Sequence, residues 1–196
     1  EYRNTDWFDQ LFSTSVMQNH SISISSGTDK AQHYVSASAM YDPGWYKQST
    51  IQRYTANLNS TFNFSPKVAL NLISNASYRK QRAPGTLGSE MDMVSGEVKR
   101  DFDINPYSYS MNTSRTLDPH TFYTRSYAPF NIMHELDNNY MQLGVNDFRL
   151  TANLTYKPIA GLELSALVGM QNTSTSQEHF ILDDSNQAQA YRAMPT

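Results

Sequence analysis

Aromatic and basic side chains are concentrated in one long stretch of the chain that lacks any regular periodicity. This stretch, residues 80–145, is interrupted by Pro84, Pro106, Pro119 and Pro129. Aromatic rings offer flat contact surfaces to sugars, and guanidinium groups bind carboxylates through paired hydrogen bonds. We therefore predict that the stretch binds solute through Tyr107, Tyr109, Arg115, Phe122, Tyr123, Arg125 and Tyr127. The alternative is that these rings pack the stretch against itself or against a partner protein.

A second set of candidate binding residues occupies polar positions in segments where polar and apolar residues alternate. Arg53, Asn71 and Arg149 each belong to such a segment. If the polar positions face a water-filled space, these side chains would line the path of a solute. They would equally serve as contacts to a domain placed inside that space.

The residue patterns needed for catalysis or metal binding are missing. The five histidines, His20, His33, His120, His134 and His179, show no ligand spacing, and the chain has no cysteine. It also lacks a serine nucleophile elbow and a glycine-rich phosphate loop. We therefore expect no enzymatic activity, no metal site and no cofactor. The net charge of −3 gives no electrostatic basis for binding nucleic acid.

The segment 53–79 supplies the clearest prediction of secondary structure. Apolar residues such as Tyr54 and Leu58 alternate with polar ones such as Asn57, and the pattern resumes after a turn at 65–67. An alternation of period 2 is typical of strands with one apolar and one polar face. The same pattern over 20–26 with 33–41, and over 147–156 with 162–170, predicts six strands in three antiparallel hairpins.

The connections between these strands alternate strictly in length. Those at 27–31, 65–67 and 157–161 are short, whereas those at 42–50 and 80–145, and the segment from 177 onward, are long. Short turns at one end and long loops at the other are typical of outer-membrane β-barrels. Aromatic residues near both strand ends match the girdles of such barrels: Phe62, Phe64 and Tyr156 by the short turns, and Tyr41, Tyr54 and Tyr78 by the long loops.

The predicted fold is therefore all-β, a section of a transmembrane barrel with long extracellular loops. We expect an extracellular loop with a short helix over 1–18, two hairpins over 19–79, a long extracellular loop over 80–145, a third hairpin over 146–176 and a further extracellular loop over 177–196. The smallest membrane barrels have about 8 strands, so we expect these strands to be part of a larger wall. The alternative is a soluble, secreted β-sandwich that acts as a binding or adhesion module.

Several segments, in order, resemble the SusC/RagA family of TonB-dependent outer-membrane transporters of Bacteroidetes. They are NTDW at 4–7, SGTDK at 26–30, RAPGT at 82–86, NPYS at 105–108 and YAPFN at 127–131. The resemblance extends over essentially the whole chain. It departs from the family at Ser26, which stands where the family usually has the first glycine of a Gly-Gly-Thr turn.

This resemblance implies a function and a set of partners. The chain would be an early wall section of a barrel of about 22 strands in the cell outer membrane, with a plug domain inside. The family imports oligosaccharides or peptides, driven by TonB through an N-terminal region that this sequence lacks. It works with a SusD-like surface lipoprotein, as a dimer of transporter–lipoprotein pairs embedded in outer-membrane lipid.

Overall fold

A single six-stranded antiparallel sheet dominates the computed structural model, which describes residues 3–84, 90–91, 98–99, 106–125 and 127–193. The remaining parts of the predicted loops lie outside the described residues. In chain order the elements are α1 (Trp7–Leu11), β1 (Gln18–Gly27), β2 (Ala31–Asp42), β3 (Thr50–Ser65), β4 (Val68–Pro84), β5 (Glu90–Met91), β6 (Val98–Lys99), α2 (Pro106–Asn112), β7 (Tyr123–Arg125), β8 (Ala128–Phe130), α3 (Ile132–Asn138), β9 (Tyr140–Tyr156), β10 (Leu164–Phe180) and α4 (Asn186–Ala193).

The long strands follow one another in the sheet in the order β1-β2-β3-β4-β9-β10. The three predicted hairpins are confirmed as β1–β2, β3–β4 and β9–β10. Two small strand pairs, β5–β6 and β7–β8, lie in the connection between β4 and β9. Because every long strand is antiparallel to its neighbours, the short turns lie at one end of the sheet and the long connections at the other.

The register places the apolar residues of adjacent strands on one common face. Leu70 on β4 lies between Phe62 on β3 and Leu154 on β9, whereas the next residue, Asn71, lies between polar neighbours on the opposite face. The apolar face remains open, and Val168 for example is 69% exposed. A β-sandwich would cover such a face with a second sheet, and the described residues place none over it.

The apolar face has the height of a membrane barrel's lipid-facing band. Between Val68 and Tyr78, β4 rises about 34 Å, which a tilt of about 40° reduces to roughly 26 Å; the apolar band of outer-membrane barrels is about 25 Å tall. Aromatic side chains border the band at both ends. Tyr54 and Tyr78 stack with ring centroids 6.4 Å apart toward the long connections, and Phe64 and Tyr156 are exposed beside the short turns.

Three strands extend further than predicted. β4 ends at Pro84 rather than at 79, β9 begins at Tyr140 rather than at 146, and β10 ends at Phe180 rather than at 176. The long connection is therefore 85–139 instead of 80–145. The sequence-based prediction missed these strand ends because the polar and apolar positions exchange faces there. The outward positions become polar at Lys80, while the opposite positions become apolar and buried at Leu143.

Short helices in the connections begin at side chains that cap them. The Asp6 carboxylate accepts hydrogen bonds from the backbone N–H groups of Phe8 and Asp9, and the Asn131 side chain accepts equivalent bonds at the start of α3. The short helix predicted within 1–18 is thus confirmed as α1. None of the helices in the described ranges is long and apolar enough to cross a membrane.

The main buried core lies at the loop end of the sheet. It joins residues from three separate connections, and its members are Trp7, Leu11, Tyr46, Phe130, Ile132 and Leu136. A smaller cluster of Met141, Leu143 and Val145 lies on the face of β9 opposite the apolar band. The long connections therefore form one packed assembly, which we call the loop domain: residues 3–17, 43–49, 106–139 and 181–193.

Candidate solute-binding site at the loop end of the sheet

Backbone and side-chain hydrogen bonds attach the start of the chain to the long connection. The Trp7 indole Nε1 donates to the carbonyl of Ser114 at 3.0 Å, and the backbone N–H of Thr5 donates to the carbonyl of Arg115 at 2.8 Å. Arg3 also forms an ion pair with Asp118. These contacts hold the predicted site residue Arg115 at an exposed edge of the loop domain.

Two of the predicted tyrosines contribute to the core of the loop domain. Tyr109 packs edge-on against Trp7, with ring centroids 5.3 Å apart, and its hydroxyl lies 3.4 Å from that of Tyr123. Tyr123 in turn contacts the ring of Phe130. Burial, reinforced by the hydrogen bond with Tyr123, raises the pKa of Tyr109 well above its ordinary value. The Tyr109 hydroxyl is therefore neutral at physiological pH, and its contact with the Tyr123 hydroxyl helps to order the loop.

The other predicted rings lie on the surface. Phe122 is exposed and meets the His134 ring edge-on at 5.5 Å. Tyr127 is exposed in the turn between β7 and β8, where its φ of 67° is a left-handed conformation that non-glycine residues rarely adopt. Arg125 places its guanidinium 4.9 Å above the ring of Phe130. Phe122 and Tyr127 are accessible from outside the loop domain, and the partly exposed Arg125 lies at its border.

An exposed line of four rings crosses the loop domain. Trp45 stacks on Phe12 with centroids 5.0 Å apart, Phe12 stacks on Phe8 at 5.7 Å, and Phe8 contacts Tyr107 at 5.7 Å. We call these four residues the aromatic row. Trp45 is 65% exposed, so its free face is open to solvent. The row comes from three connections, and the free face of Trp45 at its end can stack on a planar or ring-shaped group.

Sequence reasoning identified only Tyr107 in the aromatic row. The amphipathic spacing of Trp7, Phe8, Leu11 and Phe12 indicated one apolar stripe. In the structure that stripe divides, because Trp7 and Leu11 are buried whereas Phe8 and Phe12 remain partly accessible. The only other indication of the row in the sequence was the turn-rich segment around Trp45. The contact of Trp45 with Phe12 depends on tertiary packing.

A buried carboxylate joins the connection before β9 to the segment after β10. Glu135, only 2% exposed, accepts hydrogen bonds from the backbone N–H of Asn186 at 2.6 Å and from the side chain of Asn139 at 2.9 Å. The Asn186 side chain donates to the carbonyl oxygens of Arg125 and Ala128. Burial raises the pKa of Glu135, although the hydrogen bonds from Asn186 and Gln187 oppose the shift. We call Glu135, Asn139 and Asn186 the polar clamp.

The face opposite the lipid-facing band carries polar side chains linked across strands. Asn75 donates to Asn57 at 3.1 Å, and Asn57 donates to Ser36 at 3.2 Å. The predicted site residue Arg149 forms an ion pair with Asp147, with 3.0 Å between Nε and Oδ2. This face is thus polar, weakly charged and partly ordered by its own hydrogen bonds.

The structure separates the three predicted residues of this face. Arg53 lies toward the loop end, opposite Arg79 on β4, whereas Asn71 lies near the short turns, between Thr61 and Asn153. Arg53 and Thr61 are eight positions apart on β3, or about 27 Å at the usual rise per residue. Arg53 and Asn71 therefore cannot contact the same small group. Arg79, which is not among the predicted site residues, is the register partner of Arg53 on β4.

Sequence comparison finds relatives among TonB-dependent receptors, although no family model matches the chain. The TonB-dependent receptor SusC of Bacteroides thetaiotaomicron is 39% identical over 61 residues, which are 31% of this chain and 6% of SusC. TonB-dependent receptor P3 of Formosa agariphila is 23% identical over 186 residues, covering 88% of this chain and 17% of P3.

Structural comparison finds a similar fold in solved structures of a transporter. A structure of the RagAB peptide importer in the closed-closed state matches 92% of this chain with a TM-score of 0.68 and 16% identity. A structure of the RagAB peptide transporter matches 95% with a TM-score of 0.70 and 15% identity. The chain is SusC/RagA-like.

This SusC/RagA-like chain corresponds to a small part of the proteins it resembles. It spans 6% and 17% of the curated relatives and 20% and 21% of the RagAB chains. The named relatives are receptors and importers rather than enzymes, in agreement with the lack of catalytic patterns in the sequence. The fold similarity confirms the antiparallel barrel-wall architecture predicted from the alternation.

Proposed function

We propose that this chain forms part of the wall of a TonB-dependent importer that carries oligosaccharides or peptides across the outer membrane. The observation that carries the proposal is the two-faced sheet, whose open apolar face has the height of a membrane band while its other face is polar. In this arrangement Val168 and Ile22 contact lipid, and Asn57 and Asn75 face the lumen. Only a closed barrel satisfies the backbone of such a wall in lipid, so further strands and a plug complete it.

The loop domain is the proposed first contact for the solute on the outer side of the membrane. The exposed face of Trp45 at the end of the aromatic row offers a ring on which sugar rings or peptide side chains can stack, and Phe122 and Tyr127 are further exposed rings of the loop domain. Arg115 and Arg125 add positive charge near its border. Arg53 and Arg149 would then meet the solute as it enters the lumen.

The proposed partners follow from the resemblance to SusC and RagA. A SusD-like surface lipoprotein would cover the loop domain, and TonB would supply energy through a region outside this sequence. Two such transporter–lipoprotein pairs would associate as a dimer. The predicted extracellular loops, 1–18, 80–145 and 177–196, would provide the surface closest to the lipoprotein.

Uptake by intact cells tests this proposal. Cells lacking the gene of the full-length protein would be compared with complemented cells, using fluorescent peptide and oligosaccharide mixtures as probes. We expect uptake of one probe class to require both the gene and functional TonB, and to stop when a protonophore is added. Uptake of both classes that is unchanged in the deletion strain would contradict the proposal, as would recovery of the folded protein in the soluble fraction without detergent.

A further inference from the structure

Two arginines lie directly opposite each other on the polar face of the sheet. Arg53 on β3 and Arg79 on β4 are register partners, and they share the face of the Asn57–Asn75 pair. The Cβ atoms of directly opposed residues in an antiparallel pair lie about 4.5–5.5 Å apart. The two guanidinium groups can therefore reach the same small volume above the sheet.

This like-charged pair is an exception among its neighbours. Nearby opposed residues on the same face are complementary, as the hydrogen bonds of Ser38 with Thr55 and of Asn57 with Asn75 show. Like charges placed directly opposite each other destabilise a sheet unless another group compensates them. The pair therefore has a cost that a bound anion would remove.

No carboxylate in the described ranges of the chain lies within ion-pair distance of either arginine. The register neighbours on either side, Met40 and Val145, are uncharged. The two acidic residues nearest in register have other partners. Asp42 accepts a hydrogen bond from the backbone of Gly44 at 2.8 Å, and Asp147 binds Arg149, Thr173 and Gln171.

The pair lies at a defined level of the wall. One step toward the short turns the face is polar, with Thr55 opposite Ser77. One step toward the loop domain the β9 position is the fully buried Leu143. Arg53 is exposed and Arg79 is partly exposed, so both remain accessible where the loop domain gives way to the open polar face.

We propose that Arg53 and Arg79 together bind a carboxylate group of the imported solute, such as a peptide terminus, an acidic side chain or a uronic acid. The inference rests on the proposed import function. Guanidinium groups bind carboxylates in a bidentate geometry, and two of them can share the oxygens of one carboxylate. A carboxylate of the same protein, from a region outside this sequence, would offer the same chemistry, and the experiment below separates the two sources.

Matched probes with and without the negative charge test the site on purified full-length protein in detergent. One set consists of penta-alanine with a free C-terminus, its N-acetylated counterpart and its C-terminally amidated counterpart. The charge at each terminus is thereby varied separately. The other is trigalacturonate and its methyl ester. Equilibrium binding would be measured for the wild type, Arg53→Gln, Arg79→Gln and the double variant. Lys80→Gln is the matched control, because Lys80 neighbours Arg79 on β4 but faces the opposite side.

In at least one probe pair, we expect the carboxylate form to bind the wild type at least about tenfold more tightly than the neutral form, as charged hydrogen bonds predict. This preference should fall to near unity in the double variant and persist in Lys80→Gln. Heat-modifiable electrophoretic mobility would confirm that every variant folds. The neutral probes should bind all variants alike, because the substitutions remove only the charge recognition.

Two results would overturn the carboxylate site while leaving import intact. One is binding of neutral and charged probes with equal affinity to the wild type. The other is a structure of the solute-free full-length protein in which one of its own carboxylates binds both Arg53 and Arg79. If no probe binds and the uptake assay also fails, the import function and the site fall together.

Discussion

The carboxylate of Glu135 accepts a hydrogen bond of 2.6 Å from the backbone N–H of Asn186, which is the first residue of α4. A carboxylate at this position also interacts favourably with the partial positive charge of a helix N-terminus. The contact fixes the connection after β10 to the connection before β9. These two segments therefore behave as one unit rather than as independent loops.

The buried Glu135 predicts a pH dependence of this contact. Because burial raises the pKa of Glu135 in the folded protein, its contribution to stability is fully present below the ordinary glutamate pKa. That contribution is lost as pH rises through the raised value. Hydrogen exchange of residues 181–193 would be compared in the wild type and Glu135→Gln at each pH, so that intrinsic exchange rates cancel. We expect the protection of the wild type relative to the variant to decline with rising pH and then level off.

The control for this measurement is Asp137→Asn, which changes an exposed carboxylate on the same helix. The protection of the wild type relative to Asp137→Asn should not show the decline with rising pH that is expected relative to Glu135→Gln. A wild-type to Glu135→Gln ratio that stayed constant, or rose with pH, would show that Glu135 does not control the contact through its ionisation.

Asn186→Ala should weaken the attachment of α4 to the connection before β9, this time from the side of α4. The substitution removes two hydrogen bonds and leaves the carbonyl of the buried Ala128 without its donor. We expect a local destabilisation of about 1–3 kcal/mol, measured as faster hydrogen exchange across α4. Gln189→Ala, in the same helix, should change exchange far less, and similar effects of the two substitutions would refute a specific role for the clamp.

The two faces of the sheet predict opposite responses to an added charge. Leu150 lies midway along the apolar band, between Ser74 and Met170, and Thr151 is its neighbour on the polar face. Leu150→Arg should cost about 2–4 kcal/mol at the bilayer midplane, whereas Thr151→Arg should be tolerated. Refolding of the full-length protein into lipid vesicles, followed by urea titration, measures both. Equal costs would mean that the assignment of the faces is wrong.

The aromatic row and the loop core predict different effects of removing a ring. Trp45→Ala removes an exposed ring and should weaken solute binding with little effect on stability. Phe130→Ala opens a cavity among fully buried side chains and should destabilise the protein by about 3–5 kcal/mol. Solute affinity and thermal unfolding of the full-length protein distinguish the two. Unchanged affinity in Trp45→Ala would exclude the row from solute binding.

The sheet could be predicted from sequence because each strand carries its own alternation. The pattern around Tyr54 and Leu58 needs no knowledge of its neighbours to indicate which face is apolar. The prediction failed where that rule changes, at the loop ends of β4, β9 and β10. There the buried face packs against the loop domain instead of facing water, so Leu143 reverses the expected pattern.

The loop domain was predictable only in its composition. The aromatic stretch around Tyr107 and Tyr123 stood out, but its division into core and surface depends on partners distant in sequence. Trp7 and Tyr109 are 102 positions apart, and their contact buries both rings partly or fully. Glu135 gave no sign of burial, because its partner Asn186 belongs to another connection.

The sequence separation within the polar clamp bears on the order in which the protein is assembled. Glu135 precedes β9, and Asn186 follows β10, 51 residues later. In a chain whose strands cross a bilayer, Asn186 reaches the outer side only after β9 and β10 have both been inserted. Completion of the clamp would therefore report that this hairpin is in place, and a wall section lacking it would expose Glu135 and the interior of the loop domain to proteases at the cell surface.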